Sequence, residues 1–488
     1  MAMTDPEEPT GAAPLNELEA PAILDRSRHR ISRREIDPDA LKVLYRLSSH
    51  GFTAYLVGGA VRDLLLGRKP IDFDISTNAH PNQIKKLFRN AFLIGRRFRL
   101  AHIKFQDGKT IEVSTFRRKP DEEELAAERE EEEARKAREA AGTEEAGENS
   151  SAAPPDDQAA PIEPAGEPGT TESADEQASA APSAAPRRGR APLKPIAYGT
   201  PREDSFRRDL TINALFYDIA TYSVIDYVGG LEDLEARRVR IIGDPDTSYT
   251  EDPVRIWRVL RHASRLDFAI EAKTSEAILR HRDKLAACPG SRLFEELNKD
   301  MKSGRAGAFF QSARIHGILP KILGIVGELY EASDDRFDKL LPLIGALDAS
   351  ISSGGSPPPE VMYGLLLWPW AELLLAATPG DKPKVLYDAF RASGSAALVP
   401  KTLLLETVHT LVIVDHMLQA LIDGKMRWSL RERPQYPEAS RIASLLVEGT
   451  FGDCEDPFAL VYERRFGHRP RSRPRRKRRF RKPIPPSA

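Results

Sequence analysis

The chain has 488 residues, 41% of them hydrophobic, which is enough for two or three globular units with cores of their own. Lys and Arg total 72 against 73 Asp and Glu, so net charge alone says nothing of partners; its distribution does, because twelve basic and no acidic residues lie from Arg464 onward, leaving −13 on the rest. Two distant cysteines, Cys288 and Cys454, exclude a disulfide framework and a cysteine-based zinc site, and the acidic opening MAMTDPEEPTG is the opposite of an export signal, so a cytoplasmic location is expected.

Residues 1–35 lack hydrophobic periodicity and read as a disordered leader. Asp37 is placed to cap a helix with Pro38 at its first position; Leu41, Leu44 and Tyr45 then recur at helical spacing until Gly51 stops it. The apolar run 54–57 predicts a buried strand, Gly58 and Gly59 a turn, and the following residues a short helix to Leu66. A strand at 71–76 and a helix at 81–88 come next. Asp-Gly at 107–108 predicts a hairpin of 101–105 with 110–116. Between 118 and 195 the composition turns Glu-rich, then rich in Ala, Pro and Ser, with no Lys or Arg over 142–186. Such a segment buries too little apolar surface to fold, so it reads as a disordered acidic insertion in a surface loop. From 231 to 448 helical patterns dominate. The most apolar window, 361–377, contains Pro369 and Glu372, is too short and interrupted for a membrane span, and reads as helical core. Region 331–450 carries no chemical motif.

The chemistry concentrates in LVGGAVRDLLLG, residues 56–67, followed by Asp72, Phe73 and Asp74. Gly58 and Gly59 between a strand and a helix let backbone approach a ligand, and the helix start favours an anion. Arg62 adds a forked donor suited to phosphate. Asp72 and Asp74, two apart on the predicted strand, would project from one face as hard oxygen donors for a divalent metal pair. A lone DxD is weak evidence; with the glycine turn and Arg62 at this spacing it is specific.

These motifs resemble the signature of the class II nucleotidyltransferases, which comprise tRNA CCA-adding enzymes and bacterial poly(A) polymerases. The resemblance covers roughly residues 30–118 and 195–330. It implies a nucleotidyltransferase α/β catalytic head with an antiparallel or mixed sheet over 36–230, an α-helical neck over 231–330, an α-helical body over 331–450 and a basic RNA-binding tail over 451–488, disordered. By the same resemblance, RRDLTINAL (207–215) supplies Arg207, Arg208 and Asp209 to hold sugar and phosphates, Asp209 completing the acidic set of Asp72 and Asp74. Glu112, on the outward phase of its strand with Ser114, is the second candidate for that third carboxylate. DYVGGLEDL (226–234) resembles a flexible head–neck linker, although its glycines fit a plain loop equally well. EDPVRIWRVLRHASRL (251–266) resembles the base-reading helix, with Asp252 and Arg255 facing the nucleotide and Arg258 and Arg261 continuing their stripe. An internal Asp–Arg ion pair is the plainer alternative there.

Two further stretches incline the resemblance towards poly(A) synthesis. LIGRRFRLAHI (93–103) is similar to a segment that marks bacterial poly(A) polymerases and offers Arg96, Arg97 and Arg99, and the arm from Arg464 interleaves Phe466 and Phe480 with cations suited to RNA phosphate. The implied reaction adds AMP from ATP to RNA 3′ ends with two Mg²⁺ ions, with RNA-decay proteins as partners. A CCA-adding enzyme is the near alternative. A catalytically silent RNA-binding adaptor is the alternative from another class.

Overall fold

The computed structural model describes residues 20–95, 100–106, 108–119, 197–377, 380–392, 399–452 and 455–467. Its N-terminal unit is built on β1 (Ala22–Leu24), β2 (Ala54–Val57), β3 (Asp74–Thr77), β4 (Ala91–Ile94), β5 (Leu100–Lys104), β6 (Thr110–Thr115), β7 (Leu215–Asp218) and β8 (Ser223–Asp226). They form one mixed sheet in the order β1-β8-β7-β2-β3-β6-β5-β4. Only β3 and β6 run parallel among these neighbours.

Helix α1 (Pro38–Ser49) starts as its sequence dictates: the Asp37 carboxylate accepts from the backbone N–H of Asp39 and Ala40, with Pro38 at the first position. Its buried face is Ala40, Val43, Leu44 and Leu47, whereas Tyr45 points outward. With α2 (Gly59–Leu65) and α3 (Pro81–Leu87), it packs on the sheet side where Leu56, Ile75, Ile103, Ile111 and Val113 alternate inward. The opposite side carries Phe116 and Phe216, packed edge-to-face, and the polar row described below.

Several sequence expectations need correcting. The leader is not wholly unstructured: β1 pairs antiparallel with β8, and Ile31 is fully buried in the core. The strand expected at 71–76 begins only at Asp74, with Ile71 88% exposed before it. The glycines of 226–234 fall in a tight turn and a helix start packed on the head. Gly229 takes a left-handed conformation (φ 80°) ahead of helix Gly230–Glu235, and the buried Asp226 carboxylate accepts from the N–H of Val228 and Leu231. A Cβ on Gly230 would lie 2.3 Å from the Thr211 carbonyl oxygen, so backbone packs on backbone there.

Beyond β8 the described residues are mostly helical, with one short parallel pair, Arg238–Val239 and Ala269–Ile270. Trp257 of helix Val254–Leu266 stacks on Phe309 at 5.4 Å and donates from its indole to Asp300. Helices Pro359–Ala377 and Lys401–Asp423 are long and apolar enough to cross a membrane by composition, but most of both is buried in the helical body. The run 361–377 is thus core, as expected. Part of the tail expected to be disordered from 451 is a helix: Asp456 caps Pro457–Phe466 and also accepts from Ser440 and Tyr436, which fastens that helix to Tyr436–Glu448. The acidic insertion over 120–196, Arg96, Arg97 and Arg99, and the arm beyond 467 lie outside the described residues.

Because the Gly230 contact is backbone against backbone, Gly230→Ala is expected to lower unfolding free energy by about 1–3 kcal/mol, the usual cost of overpacking. Urea denaturation measures this, and an unchanged midpoint would mean that the Thr211 turn yields freely.

Candidate active site

Parallel pairing of β3 with β6 sets Ile75 beside Val113 and Ser76 beside Ser114, whose hydroxyls lie 2.8 Å apart. One residue earlier in the same register, Asp74 stands next to Glu112. Side chains two apart on a strand share a face, so Asp74, Ser76, Glu112 and Ser114 form a polar quartet on the side of the sheet away from α1. Asp74, Glu112 and Ser114 line a cleft of about 370 Å³ together with Leu100, Arg117, Arg207, Arg208, Asp209 and Arg258, with Ser76 buried behind them. Asp72 belongs to the loop before β3, so the shared-strand argument does not hold for it; it is nonetheless near enough to act on Asp74 electrostatically.

Asp74 is open to this cleft but sits on its floor, and its carboxyl is pushed up to about 6. Desolvation is the largest cause, followed by repulsion from Glu112 and then Asp72, with Arg208 pulling the other way. Three carboxylates thus crowd one another, which a divalent cation would relieve. Among the described residues no three Asp, Glu, His or Cys side chains are already gathered at ligand distance around one point. The donors present are hard oxygens, the chemistry that Mg²⁺ takes.

The cationic wall depends on a residue that the sequence reading missed. Asp204, 1% exposed, accepts from Arg207 Nε at 2.9 Å, from Arg208 Nε and Nη2 at 3.1 and 2.9 Å, and from the backbone N–H of Arg117 at 3.2 Å. Arg208 also donates to Ser76 Oγ at 3.2 Å, which leans it over the quartet. The signal was present as an acid three and four residues before two arginines on helix Pro201–Phe206 and its end. Charge-assisted bonds to a buried carboxylate fix both guanidinium groups in advance of any ligand.

Asp209 is placed differently from Asp74. Its carboxylate accepts from Arg258 Nε and from the N–H of Leu210. Burial alone would raise its pKa, but Arg258 outweighs that and holds it well below the ordinary carboxylate range. It anchors Arg258 at the cleft wall. Arg62 is 8% exposed and turns back on Asp63 and Asn213, at 2.8 and 2.6 Å, with His262 at 3.3 Å. It therefore braces α2 against the helical region, where a phosphate clamp was expected. Burial, and then the charge of Arg62, keep His262 neutral by lowering its pKa well below the usual histidine range. Gly58 (φ 77°) and Gly59 do make the turn expected before α2.

The stripe 252–261 divides. Asp252 is not on the helix: it lies in the extended break between helices Pro245–Glu251 and Val254–Leu266, accepting from Arg292 at 2.7 Å and from the Val254 N–H at 3.2 Å. Arg255 donates its side chain to Ser248 at 2.7 Å and pairs with Glu251 at 3.6 Å, while its backbone N–H donates to the Asp252 carbonyl at 3.1 Å. Arg258 reaches the cleft. Arg261 does not: it is 3% exposed, gripping Asp300 with Nε and Nη2 at 2.7 and 3.0 Å while Glu296 closes on Nη1. Its expected role at the nucleotide gives way to a structural one, joining helix Val254–Leu266 to Gly290–Met301.

Residues 54–240 match the poly A polymerase head domain, and residues 267–326 match the probable RNA and SrmB-binding site of polymerase A. Poly(A) polymerase I of Salmonella typhi is 33% identical over 443 residues, 87% of this chain and 82% of that relative. The chain belongs to the poly(A) polymerase family. A CCA-adding enzyme of Bacillus pumilus is 32% identical, but over 264 residues that make up 54% of this chain and 49% of the relative. The poly(A) polymerase fold extends to solved CCA-adding enzymes: that of Bacillus stearothermophilus in complex with CTP superposes with a TM-score of 0.57 at 21% identity, covering 88% of this chain and 83% of that one. The Thermotoga maritima enzyme complexed with tRNA gives 0.55 at 16% identity, over 91% and 86%.

The raised pKa of Asp74 makes a stability test possible. The folded protein keeps this proton up to about 6, whereas the unfolded chain loses it near 3.8, so ionisation penalises the fold above that window and not below it. Asp74→Asn is expected to raise Tm at about pH 8 and to leave it unchanged at about pH 3.5. A Tm lowered at the higher pH would contradict the crowding of carboxylates at the cleft floor.

Proposed function

We infer that this protein transfers adenylate from ATP to RNA 3′ ends and releases pyrophosphate. The observation that carries the reading is the pairing of Asp74 with Glu112 on adjacent strands, opposite cations already set in place by Asp204, in a chain whose similarity to poly(A) polymerase I runs through head, neck and body. That span favours poly(A) synthesis over CCA addition, because sequence similarity to the CCA-adding enzymes covers 54–62% of the chain against 87% for poly(A) polymerase I. The intact acids and arginines speak against a silent adaptor.

Asp72, Asp74 and Glu112 would hold two Mg²⁺ ions, which supply positive charge to the attacking 3′-OH, the α-phosphate and the leaving oxygen. Glu112 takes the third place in preference to Asp209, since Glu112 is exposed beside Asp74 whereas both the charge and the geometry of Asp209 are committed to Arg258. Arg207, Arg208 and Arg117 present fixed positive charge to the triphosphate, which places the α-phosphate over the quartet without reorganisation at the moment of reaction. The Ser114 hydroxyl faces the cleft in the same row as a donor to a phosphate oxygen, while the buried Ser76 hydroxyl positions Ser114 and Arg208. Arg258, held by Asp209, bounds the pocket on the helical side, towards Asp252 and Arg255. For adenine those two would accept from N6 and donate to N1; Arg292 and Ser248 hold each of them in position beforehand.

Purified protein with Mg²⁺ is expected to extend a short 3′-hydroxyl RNA with ATP alone. CTP incorporation that ended after CCA on a truncated tRNA would move the assignment to the sister activity. Glu112→Gln and Asp74→Asn should each lower kcat by about 10²–10³-fold or more, the scale of losing a group that stabilises transition-state charge. Asp209→Asn should act mainly on KM for ATP through Arg258, and the reverse ranking of Glu112 and Asp209 would return the third carboxylate to Asp209.

A further inference from the structure

The sheet face that carries Asp74 and Glu112 does not stop at the cleft. Cross-strand partners continue from Glu112 to His102 on β5 and from His102 to Phe92 on β4, the last strand of the sheet. His102 Nε2 lies 3.2 Å from Glu112 Oε1, so at this step the row is a contact as well as a register. Leu100, which lines the cleft, pairs in the same way with Ile94. Phe92 and Ile94 are 49% and 46% exposed, an apolar strip leading from the cleft to an open sheet edge. Three strand spacings, about 14 Å, separate Phe92 from Asp74.

Two cations attend Phe92. Lys104 Nζ lies 5.1 Å and Lys85 Nζ 5.2 Å from its ring centroid, and Lys85 is also held by the Ala91 carbonyl at 2.6 Å. A half-exposed ring with lysines on a sheet face is the chemistry that takes an unpaired nucleobase: the ring stacks on the base and the ammonium groups beside it meet phosphate.

We propose that this strip seats the RNA strand behind its 3′ end, with a base stacked on Phe92 and the adjoining phosphates met by Lys104 and Lys85. The proposal rests on the cleft being where the RNA 3′-OH reacts. It adds a binding subsite a few nucleotides upstream, selective for single strands, since paired bases present no free face to the ring.

The test uses the full-length protein and two RNAs, a single-stranded dodecamer and a dinucleotide too short to bridge the gap. By fluorescence anisotropy, Phe92→Ala is expected to weaken dodecamer binding by about five- to a hundredfold, the range for loss of one stacked base, with Phe92→Trp restoring it. Lys104→Gln should flatten the dependence of log affinity on log salt by about 0.7, one single-strand phosphate contact. In extension assays KM for the dodecamer should rise while kcat holds, and the dinucleotide should be used as by the parent protein. Parent-like dodecamer affinity in Phe92→Ala overturns the proposal, as does an equal loss on the dinucleotide, which would place the defect in the cleft. Unchanged RNA affinity with altered sedimentation would make the edge a protein-pairing surface instead. A parent protein that bound neither RNA would overturn the reading of the cleft and this subsite with it.

Discussion

The parallel register of β3 against β6 is the constraint on which the site depends. A hairpin arm, β4 with β5, intervenes in sequence between these two strands, so no local rule brings Asp74 to Glu112; the sheet order does. Once those carboxylates stand side by side, their repulsion demands compensation, and the opposing arginines provide part of it. The same alignment stacks Ser76 on Ser114 and carries the row outward through His102. A one-residue slip would turn every one of these side chains into the hydrophobic layer under α1, which is why the alternation of Ile75, Ile111 and Val113 into the core matters to chemistry on the far side.

Burial then separates acids that look alike in sequence into different duties. Asp74 and Glu112 face the cleft, Glu112 beside His102 but neither held by an arginine in an ion pair among the described residues; Asp204, Asp209 and Asp300 are each taken up by arginines. An acid with its charge satisfied shapes the surroundings, and one without it is available to a ligand. The arginines sort in the same way. Arg207, Arg208 and Arg258 hold their guanidinium groups at the cleft, whereas Arg62 and Arg261 are folded inward as braces between the head sheet, α2 and the helices beyond. Fixed in this manner, the cleft pays its ordering entropy during folding and not on each turnover.

Much of the head was legible because its signals are local. Strand β2, the glycine turn, α1 with its Asp37 cap and the Asp-Gly hairpin all follow from residues within a turn or two of one another. Strands β1, β7 and β8 were not, being three or four residues long and, for β1, set in polar sequence. Charge spacing misled at two places. Arg255, Arg258 and Arg261 recur every third residue, but that interval does not reveal which side of the helix meets another helix, and Arg261 meets Gly290–Met301. Asp252 seemed continuous with the same helix, yet Pro253 starts a new one and leaves Asp252 in an extended link. Asp204 escaped notice because its importance lies in three partners that come together only in the folded chain.

The cluster that buries Arg261 has a further property. Asp300 receives the indole N–H of Trp257 as well as the guanidinium, and Trp257 neighbours Arg258 on the helix that walls the cleft. Only four tryptophans occur in the chain, and this one is fully enclosed, beside a carboxylate and stacked on Phe309. Its emission colour is set by the local field, so any displacement of that helix relative to Asp300 would change the light this residue gives off.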